Sequence, residues 1–296
     1  MSILISASTR VIAVGMTGRV GSFHCQRMLD YGTRIVAGVT PGKGGQKVNG
    51  LPVFNTIKEA ACATEAVTAM IMVPAPFAAD SIMEAAEAGI RLCVAITDGI
   101  PAQDMIRVKR YMKRYRESES MRLVGPNCAG VISPGESMVG IMPSAIYEPG
   151  RVGIISRSGT LGYEAAAQLK DLSLGVSTSV GIGGDQITGS SFLDYLKLFS
   201  EDADTDAVVL LGEIGGPQEA LAADFLRKGF CKPVVAYVAG SAAPKGQNLG
   251  HAGAIITAFG DGADEKSHML SDVGVTIAED PSFIGTTVQQ VLQAQE

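Results

Sequence analysis

The sequence predicts an α/β protein in which two parallel sheets are covered by helices. Three observations predict this class. Short apolar strands alternate with helical stretches along most of the chain, the alternation breaks once, between residues 127 and 150, and 46% of the 296 residues are hydrophobic. Repeated alternation of strand and helix implies right-handed crossovers and parallel strands. The length corresponds to about two domains of roughly 150 residues, with enough apolar residues for two cores.

The first half, residues 1–127, is expected to form a Rossmann-like nucleotide-binding domain. Seven apolar and amphipathic segments alternate in it before residue 97. They predict strands at 10–14, 34–39, 69–73 and 92–96, and helices at 22–31, 57–63 and 77–88. The basic stretch 107–116 is interpreted as a helix whose charges face water, because Val108 and Met112 are spaced to face inward.

The second half, residues 128–296, is expected to form another parallel α/β layer. Residues 128–150 are predicted to be the linker, because Pro134-Gly135, Met142-Pro143-Ser144 and Pro149-Gly150 are turn formers. Strands are then predicted near 152–156, 177–180, 207–211, 234–238 and 275–277, with helices lying between them.

Composition excludes several functional classes. A formal net charge of −6 disfavours nucleic acid as the partner, because phosphate backbones are bound through clustered cations. No signal-peptide pattern is found at the start, and no apolar run reaches the roughly 18 residues that a membrane span requires. The five cysteines are typical of reduced core residues in a cytoplasmic protein. Neither they nor the three histidines have the spacing of a metal site.

A glycine-rich loop follows the first predicted strand. Gly15-Met16-Thr17-Gly18-Arg19-Val20-Gly21 opens a helix, where glycines let the backbone approach a diphosphate. The second strand ends in Thr40-Pro41-Gly42-Lys43, without the Asp or Glu that takes the ribose hydroxyls of NAD. Lys43 suits an additional phosphate, such as the 3′-phosphate of coenzyme A, although NADP would make a similar demand.

Three loops of the second half predict chemistry at one sheet edge. His251 lies between glycines after the predicted strand 234–238, where open α/β sheets bind ligands. Glu213 follows the strand 207–211, and a carboxylate on Nδ1 would leave Nε2 as the nucleophile. Ser158-Gly159-Thr160 opens a helix whose free N–H groups form an anion site. Together they predict a phosphohistidine intermediate; a histidine satisfied within a turn is the alternative.

Nearly the whole chain resembles the α subunits of the succinyl-CoA synthetase and malate-CoA ligase family. Seven motifs in order carry the resemblance, and together they are more specific than any one of them. The motifs are Gly15-Met16-Thr17-Gly18, Val39-Thr40-Pro41-Gly42-Lys43-Gly44-Gly45, Val73-Pro74-Ala75-Pro76-Phe77, Gly125-Pro126-Asn127-Cys128, Ser156-Arg157-Ser158-Gly159-Thr160-Leu161, Gly212-Glu213-Ile214-Gly215-Gly216 and Gly250-His251-Ala252-Gly253-Ala254-Ile255. The resemblance implies coenzyme A as the ligand of the first domain and a flavodoxin-like fold for the second.

The resemblance also implies roles for individual residues. Ser158, Gly159 and Thr160 would hold the phosphoryl group of His251, with Glu213 orienting the imidazole. Tyr163, Asn127 and Cys128 would border the organic acid, although Cys128 is equally well explained as a small buried thiol. Coenzyme A would be contacted by Thr17, Gly18, Arg19, Val20, Lys43, Val73, Pro74, Ile96, Thr97 and Asp98. Asp98 is shorter than the Glu often found in relatives, which puts the reach of that contact in doubt.

The implied reaction is an ADP-forming ligation of a dicarboxylic acid to coenzyme A. A nucleoside triphosphate phosphorylates His251, the phosphoryl group passes to the acid, and the thiol displaces phosphate. The sequence has no G-x-x-x-x-G-K-[ST] loop, so ATP and Mg²⁺ are expected on an ATP-grasp β subunit, in a hetero-dimer or hetero-tetramer. Asn127-Cys128-Ala129-Gly130 replaces the Asn-Cys-Pro-Gly of succinate enzymes and, with the region 98–121, favours malate over succinate.

Two functions from other classes fit the sequence less well than this ligase. A binding module for coenzyme A or nucleotide, without turnover, would have no need of His251 or Glu213. An NADP-dependent oxidoreductase would leave His251 and the glycine loops of the second domain without a role.

Overall fold

The computed structural model of the chain describes residues 2–116, 118–244, 246, 250–257 and 261–295. These residues form two seven-stranded sheets with helices packed against them. The α/β class predicted from the alternation of strands and helices is confirmed.

The first sheet has the strand order β3-β4-β2-β1-β5-β6-β7. Its strands are β1 (Arg10–Val14), β2 (Arg34–Val39), β3 (Lys47–Val48), β4 (Leu51–Phe54), β5 (Thr68–Ile71), β6 (Leu92–Ala95) and β7 (Arg122–Val124). Only β3 and β4 pair antiparallel; the other neighbours are parallel. The four helices are α1 (Arg19–Asp30), α2 (Ile57–Thr64), α3 (Ala75–Glu87) and α4 (Ala102–Met112).

The second sheet has the order β14-β13-β12-β10-β11-β8-β9. Its strands are β8 (Gly130–Ser133), β9 (Ser137–Gly140), β10 (Pro149–Ser156), β11 (Val176–Gly181), β12 (Ala207–Glu213), β13 (Val234–Ala239) and β14 (Thr276–Ile277). The helices are α5 (Gly159–Asp171), α6 (Phe192–Glu201), α7 (Gln218–Leu226), α8 (Ala263–Ser271) and α9 (Ile284–Gln293). Strands β10 to β14 are parallel, so the carboxyl ends of β10, β11, β12 and β13 meet at one edge.

The segment predicted to be a linker, 128–150, contains the hairpin β8–β9, which extends the second sheet antiparallel to β11. The expectation of turns there was incomplete, because each strand has only four residues and lies between turn formers. The turn itself falls at Ser133–Glu136, where the Glu136 N–H donates to the Ser133 carbonyl over 3.0 Å. The second layer is therefore mixed at this edge.

The hairpin also joins the two halves of the chain. The Thr33 hydroxyl, in the turn between α1 and β2, donates to the Met138 carbonyl over 2.7 Å and accepts from the Met138 N–H over 2.9 Å. The Gly140 N–H lies 3.3 Å from the Met28 sulfur, and all four of these residues are buried. One apolar cluster consequently runs from the first sheet into the second.

The cysteines match the expectation of core residues only in part. Cys25, Cys93 and Cys128 are buried, whereas Cys62 and Cys231 are exposed, and all five are free thiols. Across the described part of the chain, no helix combines the length and apolar character needed to cross a membrane.

Candidate active site

The carboxyl end of β12 holds Glu213 against the imidazole of His251. The Oε2 atom of Glu213 lies 2.7 Å from His251 Nδ1, and the imidazole is about one-third exposed at 33%. A Cβ atom at Gly184 would overlap the imidazole, so glycine is required beneath it. His251 is thus fixed on one side by a carboxylate and on another by backbone. Residues 245 and 247–249, which precede His251 in the predicted loop, lie outside the described residues.

The contact with Glu213 also affects the pKa of the imidazole and determines which nitrogen carries its proton. The hydrogen bond with Glu213 raises the pKa of His251 above its ordinary value of 6.5, and burial of the ring opposes this. Because Nδ1 faces a carboxylate, Nδ1 carries the proton in the neutral ring and Nε2 retains its lone pair. This is the tautomer that a nitrogen nucleophile requires.

The other oxygen of Glu213 faces a buried cation. Its Oε1 atom lies 3.1 Å from Arg157 Nη2, and both side chains are almost fully buried. Arg157 in turn contacts Glu219 on α7, which contacts Lys266 on α8. Sequence reasoning assigned no role to Arg157, Glu219 or Lys266. The only signal for Lys266 was its helical spacing with Ala263 and Leu270, which are also buried.

The N-terminus of α5 lies at the same edge of the sheet. Strands β10 and β12 are in register at Ser156 and Leu211, so α5 starts beside the strand that delivers Glu213. Ser158 is the N-cap residue, and its hydroxyl lies 3.1 Å from that of Thr160. Ser158 and Gly159 are half-buried and Thr160 is exposed, so the free N–H groups of the first turn can meet an anion.

Ala129 and Tyr163 flank this helix start. A Cβ atom at Gly159 would lie 3.5 Å from both the Ala129 methyl group and the Tyr163 hydroxyl. Tyr163 is half-buried, and burial raises the pKa of its hydroxyl, which therefore stays protonated near neutrality. Tyr163 can donate a hydrogen bond to an acid bound at the helix start.

Asn127 and Cys128 lie between the two sheets. The Asn127 side chain donates to Asp185 Oδ1 over 2.9 Å, and its backbone N–H donates to the Thr97 carbonyl over 3.0 Å. The Cys128 sulfur is buried 3.3 Å from the Ala95 carbonyl, and burial raises the pKa of the thiol to about 12. Cys128 is therefore a neutral thiol, which fits the interpretation of a small buried residue.

Asp185 was missed in the sequence because it follows a glycine run rather than a recognised motif. Its side chain is only 8% exposed, and burial raises the pKa of its carboxyl group, opposed by the hydrogen bond from Asn127. Asp98, from the first sheet, and His251 both act on Asp185 electrostatically. Asp185 therefore connects the carboxyl edges of the two sheets.

A cavity of about 810 Å³ opens at the carboxyl edge of the first sheet. Nine of the ten residues predicted to contact coenzyme A line it: Thr17, Gly18, Arg19, Val20, Val73, Pro74, Ile96, Thr97 and Asp98. Its apolar wall includes Val20 and Phe77, whose exposed fractions are 59% and 62%. Ser81 and Glu84 on α3 also line the cavity and were not predicted.

Lys43 is the predicted contact that lies outside this lining. The cavity wall includes Thr40 and Pro41, and Lys43 is exposed on the turn that follows them. Its backbone N–H donates to the Thr40 carbonyl over 3.1 Å, which keeps the turn close to the cavity. Within the described residues, no group of three His, Cys, Asp or Glu side chains is arranged to hold a metal ion.

Comparison with known proteins identifies the family. Residues 6–99 match the model of the CoA binding domain, and residues 155–276 match that of CoA-ligase. The chain is 60% identical over 292 residues to the malate–CoA ligase subunit alpha of Methylorubrum extorquens, with 99% of each chain covered. The chain belongs to the family of CoA-ligase alpha subunits. The predicted family is thereby confirmed.

Other members of the CoA-ligase alpha-subunit family are nearly as similar. The ADP-forming succinate–CoA ligase subunit alpha of Aquifex aeolicus is 52% identical over 297 residues, covering 100% of this chain and 96% of the relative. Both relatives are named as alpha subunits and have about the same length as this chain.

Solved structures share this fold across the chain. ATP citrate lyase of Methanosaeta concilii, in complex with (3S)-citryl-CoA, superposes with a TM-score of 0.88 at 27% identity over 99% of this chain. The chain spans about half, 51%, of that longer protein. A dinucleotide-forming acetyl-coenzyme A synthetase from Ca. Korarchaeum cryptofilum shares the fold over 92% of this chain and 58% of its own, with a TM-score of 0.74 at 21% identity.

Proposed function

We propose that the chain is the alpha subunit of an ADP-forming ligase that joins malate to coenzyme A through a phosphohistidine at His251. The observation that carries the proposal is the 2.7 Å contact between Glu213 and His251 Nδ1 at the carboxyl edge of the second sheet. It leaves Nε2 as the nucleophilic atom of a partly exposed imidazole. Without that contact, the family resemblance would fit a non-catalytic binding module equally well.

The reaction divides into three displacements. His251 Nε2 attacks the γ-phosphorus of ATP and ADP leaves; a carboxylate oxygen of malate then attacks the phosphorus and regenerates the free imidazole. The coenzyme A thiol finally attacks the acyl carbon, and phosphate leaves. Each displacement faces a lower barrier than direct condensation of an acid with a thiol. In the proposal, Ser158, Gly159 and Thr160 hold the transferred phosphoryl group through their N–H groups and hydroxyls.

Coenzyme A is assigned to the cavity of the first domain. The loop Thr17–Val20 opens α1, whose first N–H groups suit a diphosphate, and the exposed apolar surface of Val20 and Phe77 suits the uncharged parts of the molecule. Lys43, on the neighbouring turn, is assigned to the 3′-phosphate. Thr97 and Asp98 line the end of the cavity nearest Asn127 and Asp185, and so direct the thiol toward the second domain.

The organic acid is assigned to the space beside the start of α5. Tyr163 is the proposed donor to the carboxylate of the acid. The Ala129 methyl group lies as close to Gly159 as the Tyr163 hydroxyl does. Alanine at position 129 is smaller than proline and has a backbone N–H, which proline lacks. Malate, with one hydroxyl more than succinate, is therefore the favoured acid, in agreement with the higher identity to the malate enzyme. Succinate is the second candidate.

A partner subunit completes the proposed enzyme. Both relatives are named as alpha subunits, and we assign ATP and Mg²⁺ to an ATP-grasp β subunit. Leu221 on α7 and Phe283 near α9 are large, exposed apolar side chains of the second domain that would suit such an interface. We further propose that the enzyme acts in the cytoplasm, where ATP and coenzyme A are available.

Labelling tests the proposal directly. The chain and its partner are mixed with γ-labelled ATP, and acid-labile label on the chain is compared between the wild type and His251→Ala. The matched control is His268→Ala, which removes an exposed histidine of α8. Label is expected on the wild type and on the control but not on His251→Ala; label retained by His251→Ala would refute the phosphohistidine. Discharge by malate or by succinate, with coenzyme A present, identifies the acid.

A further inference from the structure

Four charged side chains form a buried group beneath the catalytic edge of the second sheet. We call Arg157, Glu213, Glu219 and Lys266 the ion cluster. Glu219 and Lys266 are fully buried at 0% exposure, and Arg157 and Glu213 are 4% and 5% exposed. The four residues come from the ends of β10 and β12 and from α7 and α8, so the cluster connects four separate elements.

Glu219 lies at the centre of the ion cluster. Its Oε1 atom accepts from Arg157 Nη1 over 3.1 Å and from the Glu213 backbone N–H over 3.2 Å. Its Oε2 atom accepts from Lys266 Nζ over 2.6 Å. Glu219 therefore contacts both cations and the backbone of the residue that faces His251.

The two cations also hold the loop that follows β12. Lys266 Nζ donates to the carbonyl oxygens of Glu213 and Gly215 over 2.9 and 2.8 Å. Arg157 Nη1 donates to the same two oxygens over 3.2 and 2.8 Å. Gly215 has a positive φ of 83°, a backbone conformation that favours glycine at this position. The backbone of Glu213 is thus held through its N–H and its carbonyl at once.

The charges of the ion cluster balance, with two cations and two carboxylates. Buried ion pairs are a poor source of stability, because the desolvation of the ions offsets their attraction. Burial lowers the pKa of Lys266, while Glu219 opposes this change. The cluster is therefore better explained by what it positions than by what it stabilises.

We propose that Glu219 and Lys266 are positioning residues that hold Glu213 in place, as a carboxylate, against His251 Nδ1. Neither touches the imidazole; each acts through Glu213 and Arg157. The effect on phosphoryl transfer rests on the function proposed above, whereas the effect on the charge of His251 does not. The two can be tested separately.

Charged groups from three elements face His251. They are Glu213 at the end of β12, Arg157 at the end of β10, and Asp185 after β11. Glu219 contacts Arg157 and the backbone N–H of Glu213, and Lys266 contacts the backbone carbonyl of Glu213. If they act by positioning Glu213, loss of either should lower the pKa of His251, whereas their charges acting through space would shift it in opposite directions.

The experiment measures the titration of His251 by NMR in the full-length chain, labelled at its three histidines. Glu219→Gln and Lys266→Met should each loosen the contact between Glu213 and His251, so both should lower the titration midpoint of the imidazole. Each drop should be on the order of half a pH unit, because Glu213 is displaced and not removed. The double variant loses both supports and should lower the midpoint at least as far as either single variant. A midpoint that rises in Lys266→Met, as loss of its positive charge alone would cause, or that stays unchanged in either single variant would overturn the proposal.

Exposed charges provide the controls, and kinetics provides the second readout. Glu201→Gln and Lys228→Met change exposed charges of the same domain and should leave the midpoint unchanged. If the single variants do not fold, Glu219→Asp and Lys266→Arg keep the charge and alter the reach. These should slow labelling of His251 about tenfold, on the scale of one lost buried contact, without changing the KM for coenzyme A. Unchanged labelling would refute positioning, whereas a wild type that never labels would refute only the phosphohistidine.

Discussion

Glu213→Gln is the most informative single change, because glutamine keeps the size of the side chain and removes its charge. In the wild type, one oxygen faces His251 Nδ1 at 2.7 Å and the other faces Arg157 Nη2 at 3.1 Å. Both neighbours are hydrogen-bond donors. Glutamine has one oxygen and one NH₂ group, so in either orientation its NH₂ group must face a donor.

The expected loss in the rate of phosphorylation follows from the free energy of the hydrogen bond between Glu213 and His251. A hydrogen bond to a charged group contributes about 1.5–3 kcal/mol, and roughly 1.4 kcal/mol corresponds to a tenfold change in rate. Loss of the contact with His251 should therefore slow phosphorylation of the imidazole about 10- to 100-fold. The pKa of His251 should also fall, because its main cause of elevation is the hydrogen bond with Glu213.

Rapid-quench labelling with γ-labelled ATP measures the rate, and NMR titration measures the pKa in the same variant. Glu201→Gln, an exposed change on α6, serves as the matched control and should behave as the wild type does. Labelling of Glu213→Gln at the wild-type rate, or an imidazole in Glu213→Gln with the wild-type titration midpoint, would refute the role assigned to Glu213.

Four further predictions concern other parts of the molecule. Because the pKa of His251 is raised, its contact with Glu213 contributes fully to folding stability below about pH 6.5 and is lost as the pH rises through the folded-state pKa. In urea unfolding, His251→Asn should therefore lose more stability at about pH 5.5 than at about pH 8.5. The opposite order would contradict the raised pKa. Lys43→Met should weaken coenzyme A binding about fivefold in calorimetry, as expected for an exposed charge pair, but leave dephospho-coenzyme A unaffected; equal losses for both ligands would rule out the 3′-phosphate contact. Ala129→Pro should shift the ratio of kcat/KM values from malate toward succinate, and an unchanged ratio would show that this position does not select the acid. Iodoacetamide should modify the exposed Cys231 well before Cys128, because the Cys128 thiol is buried and its pKa is raised to about 12. Peptide mass spectrometry measures the order of modification, and early modification of Cys128 would mean that its thiol is accessible.

The parallel strands were predictable because each is an apolar run bounded by turn residues, and their ends locate the site. Glu213 and His251 follow two strands that neighbour each other both in sequence and in the sheet, so their proximity could be inferred without coordinates. The hairpin β8–β9 was not predicted, since four-residue strands between glycines and prolines carry little periodicity.

Buried charges were the second feature that the sequence did not reveal. Lys and Glu on a helix usually face water, so Glu219 and Lys266 appear in the sequence as surface residues. Burial of Glu219 depends on Arg157 and Lys266, and burial of Lys266 depends on Glu219 and on the carbonyl groups of Glu213 and Gly215, which are far from it in sequence. Such a set becomes visible only when the four elements have been assembled.

The hairpin β8–β9 has a consequence for how the chain could be divided. Strand β9 contacts Met28 of α1 and Thr33 of the turn that follows α1, and β8 pairs with β11 in the second sheet. Cutting the chain before residue 128 would expose apolar surface on the amino-terminal fragment. Cutting it after residue 140 would remove the two edge strands β8 and β9 from the carboxyl-terminal fragment. Either cut would therefore expose part of the apolar cluster that the two sheets share, so the chain should be most stable when it is left whole.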